Sequence, residues 1–128
     1  MSTIMKTTKN FNRVSDIIDS LTINPSPDAI AVLEEIGTNS SIDEVREMTA
    51  RALVKRNEEA SLSIVISSKG KGINDMSTVV AMSTINCLLS LEDKQEAMRI
   101  LENTISDENF EEDVRENARS VKALMALS

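Results

Sequence analysis

The chain has 128 residues, enough for one domain with a core of its own. Its 14 basic and 21 acidic residues leave a net charge of −7, which sets it against phosphate backbones and disfavours nucleic acid as a partner. With no His and one Cys it lacks the ligands of a zinc site, and with two Phe, no Trp and no Tyr its core must be aliphatic and few rings remain for stacking on a base.

Residues 1–7 read as a loose start. Phe11, Val14, Ile17, Ile18 and Leu21 then recur at helical spacing, with Arg13, Asp16 and Asp19 on the other side. Asn24-Pro25-Ser26-Pro27 stops this helix, because a residue that precedes proline avoids the α region. Ser26 at N-cap and Pro27 at the first helical position open the next one. Its stripe is Ile30, Leu33 and Ile36, with Ala29 and Val32 beside it, and Gly37 is placed as its stop. Ser41 and Glu44 have the spacing of a capping box. The helix they open carries Val45, Met48, Thr49, Ala52 and Leu53 on one face.

Over residues 57–68 two periods conflict. Leu62, Ile64 and Ile66 alternate with Ser61, Ser63 and Ser67, which is a strand pattern. A lone strand has no partner here, so the segment is taken as helix. Lys69-Gly70-Lys71-Gly72 is the clearest break, and Asn74 or Asp75 is placed to cap the next helix. Met76, Val79, Val80, Met82, Ile85, Leu88, Leu89 and Leu91 cover most of a helix circumference, which predicts a central, buried helix over about 75–90. Ala97, Ile100, Leu101 and Ile105 form the next stripe. Asn109 and Glu112 again have capping-box spacing, and the last helix is expected to bury Phe110, Val114, Ala118, Val121 and either Leu124 or Met125.

The chain partly repeats itself. An offset of 69 residues takes Ile36 to Ile105, Val45 to Val114 and Arg46 to Arg115. In both places an aliphatic helix meets a short polar break and then a Val-Arg pair, which marks a stacked supersecondary unit. Val114-Arg115-Glu116-Asn117-Ala118 resembles the start of the second helix of a HEAT-type repeat. Val45-Arg46-Glu47-Met48-Thr49 resembles it less closely, with Thr49 where the family has Ala. The layout is also similar to a small archaeal family of all-helical proteins with no assigned function. HEAT repeats usually succeed one another directly, whereas two helices here separate the matching pairs. The resemblance implies a scaffold that binds other proteins, and it carries no catalytic residue. The expected fold is therefore all-α, one domain over 1–128, with about seven helices in stacked antiparallel pairs, as a right-handed HEAT-like superhelix or a closed bundle.

No group of residues reaches an enzyme site. Asp107, Glu108, Glu111, Glu112 and Asp113 cluster without the alternating ligand loop of a calcium site, and they suit the start of a helix. Lys69 to Gly72 lacks the Walker pattern, and Ser67 and Ser68 have no His partner. No catalytic, cofactor or metal residues are assigned. Arg46, Arg51, Arg115 and Arg119 are the candidate partner-binding residues, weighed against local pairing with acids three or four positions away. The leading expectation is a non-enzymatic protein-interaction or scaffold module, with a second copy of the chain among the candidate partners. The alternative is a small-ligand bundle with a pocket beside the 75–90 helix. The N-terminus shows no apolar signal region, no run has the length of a membrane span, and Cys87 is alone, so cytoplasm is the expected location.

Overall fold

The computed structural model describes residues 2–67 and 76–127, with side chains described for 13–66 and 76–127. Among the described residues seven helices occur in order: α1 (Ser2–Ile23), α2 (Asp28–Asn39), α3 (Asp43–Arg56), α4 (Glu59–Ser67), α5 (Thr78–Leu89), α6 (Gln95–Ser106) and α7 (Glu112–Leu127). There is no strand among the described residues. The chain is an all-α helical bundle in which α2 packs on α3 and α6 packs on α7 as neighbouring pairs.

The helix ends obey local chemistry. α1 begins at Ser2, earlier than the loose start expected over 1–7, and nothing from Ser2 to Ile23 is Gly or Pro to interrupt it. The Ser26 Oγ accepts from the Asp28 N–H at 3.2 Å, while Pro27 already has helical angles, so this Ser-Pro start is as expected. Gly37 does not stop α2, which runs on to Asn39. The glycine serves close packing against Thr49 instead. Ser41 and Glu44 do not form a capping box. Ser40 Oγ accepts from the Ile42 N–H at 3.1 Å, and the Ile42 carbonyl begins the ladder of α3. Asn109 likewise does not cap α7; its N–H donates to Asp107 Oδ1 at 2.9 Å in a turn, and the Glu111 carbonyl starts the helix. Asn74, Asp75 and the Lys69–Gly72 break lie outside the described residues. Ser77 caps α5 by accepting from the Val80 N–H at 3.4 Å.

The conflict over α4 is resolved by packing. Ser61, Leu62, Val65 and Ile66 are buried, a helical and not an alternating set. Ser61 belongs to the helix start: its Oγ donates to the Glu58 carbonyl and accepts from the Glu58 N–H, both at 3.1 Å. Asn57 ends α3 in the left-handed region at φ 49°, which Asn tolerates better than most residues.

The core joins Ile18, Ile30, Leu33, Leu53, Leu62, Val65, Leu88, Ile100, Leu101, Val121 and Met125 with smaller neighbours. Of the expected α1 stripe, Ile18 is buried and Val14 and Leu21 pack against the core, while Ile17 is 51% exposed; the Phe11 side chain lies outside the described set. In α7, Met125 is buried and Leu124 faces out. The centre of the bundle is α3, not α5. α3 packs against α1, α2, α4 and α5, and its small Thr49, Ala50 and Ala52 let neighbours approach from several sides. α5 buries only Val80, Thr84 and Leu88, while Val79 is 66% and Met82 55% exposed. Apolar side chains all round a helix predict burial only where other helices exist to cover every side. Among the described residues α5 has mainly α3 and α7 against it, and Val79 and Met82 lie on a face these leave exposed.

Candidate functional site

Two of the four candidate arginines hold turns. Arg46 Nε donates to the Ser40 carbonyl at 2.8 Å, at the end of α2. Arg115 Nε donates to the Ile105 carbonyl at 2.9 Å, at the end of α6. Both reach from the first turn of one helix to the last carbonyls of the helix before, which have no partner within their own helix. The guanidinium also complements the negative end of the helix dipole. The repeated Val-Arg pair is therefore a clamp on the turn inside each helix pair. Arg115 also pairs with Glu112 at 3.2 Å.

A third clamp has no counterpart in the sequence pattern. The Arg56 side chain is 2% exposed, and its guanidinium donates to the carbonyls of Leu21, Asn24 and Ser26 while pairing with Glu58 at 3.0 Å. It locks the end of α1 and the turn into α2 against the end of α3. The sequence shows only one more cation at a helix C-terminus, because its acceptors lie 30 or more positions away.

Arg119 lies on the outer side of α7 and pairs with Glu112 at 3.0 Å. That hydrogen bond, its charge and the nearby Arg115 together hold the Glu112 carboxyl below the usual carboxylate range. Among the acids around this helix start, Asp113 Oδ1 accepts from the Val114 N–H and Asp107 Oδ1 from Asn109. No group of three or more metal-ligating side chains occurs among the described residues.

Arg51 is different, because it borders an open groove between α3 and α5. The groove is about 740 Å³. Val54, 1% exposed, belongs to its floor along with the half-buried Cys87 and Leu91. Glu47, Arg51 and Lys55 form the α3 wall, and Val79, Met82 and Asn86 the α5 wall. Ser83 Oγ donates to Glu47 Oε1 at 2.9 Å and ties the walls together. Arg51 pairs with the same carboxylate at 2.5 Å. The apolar pattern of 75–90 places Val79 and Met82 inside; the signal that places them outside is their interleaving with Ser83, Asn86 and Ser90 at spacings of three and four.

A smaller cavity of about 50 Å³ lies between α2, α3, α4 and the start of α5, lined by Leu33, Gly37, Thr49, Leu53, Val65 and Val80 among others. It has room for a few waters, whereas small-molecule sites run to roughly 300 Å³ and more. No helix among the described residues is long and apolar enough to cross a membrane. No family model, curated protein or solved structure matches the chain. The surface chemistry of the groove is thus the guide to function.

Proposed function

We propose that this chain is a protein-interaction module that works by contact and not by turnover, through the groove between α3 and α5. One observation carries this reading: Val79 and Met82 stand 66% and 55% exposed on a helix with no charged residue, beside an apolar crevice. Apolar side chains grouped at a crevice mark contact surfaces more often than chance exposure does. The helix pair that occurs twice, with its clamp at Arg46 and Arg115, supports the HEAT-like scaffold reading in which such pairs present a surface. A lone, half-buried Cys87 suits a reducing cytoplasm. Arg51 is the candidate arginine that serves this surface; Arg46 and Arg115 serve the turns.

The test is photo-crosslinking in the native cell with the full chain. A crosslinking residue at Val79 should give a discrete protein adduct. The same residue at Glu35, on the exposed side of α2, should not. Met82→Asp should remove the adduct without changing the far-ultraviolet circular dichroism melt. Absence of an adduct at Val79, or an equal yield from both positions, overturns the reading.

A further inference from the structure

The groove has a charge pattern that narrows its occupant. α5 contributes no charge from Thr78 to Leu89. On the α3 wall, Glu47 is already engaged by Arg51 and by Ser83. Lys55, one turn beyond Arg51, is exposed and has no ion pair among the described residues. The rim therefore carries an excess of positive charge on a chain whose net charge is −7. Complementary potential steers encounter and rejects wrong partners.

The shape points to a helix. The described residues offer no strand edge for an extended peptide to join, and the crevice runs between two helices. The twelve residues of α5 span about 18 Å, the length of roughly three helical turns. Met82 supplies a flexible thioether that adapts to the side chains laid on it. A second copy of the chain is a poorer match. A two-fold pairing of this face sets two positive rims toward each other and joins two chains of charge −7.

We infer that the groove accepts an amphipathic α-helix of a partner protein, its apolar stripe against Val79 and Met82 and a flanking Asp or Glu against Lys55 and Arg51. This rests on the proposed interaction function and assigns the partner's chemistry. The arrangement is a helix laid in a groove, with anchors at i, i+3, i+4 and i+7.

The test uses the full chain and a displayed library of helical peptides, with Leu fixed at i, i+3, i+4 and i+7 and all other positions randomised. Enriched peptides should carry Asp or Glu beside the Leu stripe. Lys55→Glu should weaken them about three- to tenfold, as a rim charge does, and Met82→Asp should abolish binding. Cys87, the chain's single thiol, should react with N-ethylmaleimide more slowly when peptide is saturating. Enrichment of basic or uncharged flanks, no enrichment at all, or unchanged Cys87 labelling overturns the inference. So does a dimer by light scattering that Met82→Asp dissolves, which assigns the groove to a second copy. A native adduct at Val79 together with basic-flanked peptides leaves the interaction reading standing and removes this one; no adduct removes both.

Discussion

A Cβ placed on Gly37 would lie 2.5 Å from the Oγ1 of Thr49 and 3.2 Å from its Cβ. The Thr49 hydroxyl does not turn away freely, since it donates to the carbonyls of Val45 and Arg46 within α3. Glycine inside α2 is there so that the two helices can meet at this point. The offset of 69 puts Ser106 in the place of Gly37 and Ala118 in the place of Thr49.

Gly37→Ala should therefore destabilise the chain, although alanine is the better helix former by about 1 kcal/mol. Overpacking of this kind costs about 1–3 kcal/mol, so the steric term prevails. Gly37→Ala combined with Thr49→Ala should recover much of the loss. Urea unfolding of the two single variants and the double variant checks this, and additive losses would contradict the contact.

Arg46→Met and Arg115→Met should each lower stability by about 1.5–3 kcal/mol, the scale of a hydrogen bond made by a charged group. The two clamps share no partner, so their effects should add in the double variant within about 0.5 kcal/mol. Urea midpoints at constant slope are the measurement.

Arg56→Met should be the most damaging of the arginine changes, at about 3 kcal/mol or more, because three carbonyls lose their donor at once, at about 1 kcal/mol or more each. Hydrogen exchange should rise first near the end of α1, where Leu21 and Asn24 lose their donor.

Two neighbouring valines should behave oppositely. Val80 is fully buried, and Val80→Ala should cost about 2 kcal/mol. Val79 is 66% exposed, and Val79→Ala should stay within about 0.5 kcal/mol. Thermal melts of the pair test which side of α5 faces out.

The pH response of Glu112 has a defined sign. Its pKa is lowered in the folded chain, chiefly by the Arg119 hydrogen bond, so the contribution is complete above the unfolded carboxylate value. It disappears as pH falls through the lowered folded value. The residue is exposed, so the effect is small and screened by salt. Glu112→Gln should flatten the acid side of the stability curve slightly, and Arg119→Gln should do the same.

The register of the helices was legible because it depends on neighbours within a few residues. Ser26-Pro27, Ala29-Ile30-Leu33 and Ala97-Ile100-Leu101 sit as their spacing implies. The capping boxes at Ser41 and Asn109 were not legible, since both helix starts shift to backbone carbonyls one or two residues on. Gly37 carried the pattern of a stop, and only the approach of Thr49 explains why a glycine stands inside α2.

By itself the sequence determined an aliphatic, all-helical chain with a duplicated helix pair, because periodicity and composition act through local geometry. The tertiary structure alone decided that α3 and not α5 is central, that Arg46, Arg56 and Arg115 clamp helix ends, and that Val79 and Met82 face outward. The carbonyls that Arg56 holds lie 30 or more positions away, beyond any local pattern. Arg46 and Arg115 reach only six and ten positions back, but onto a helix end whose place is set by how the pair folds. The outward face of α5 depends on which helices cover it, which its own apolar content does not record.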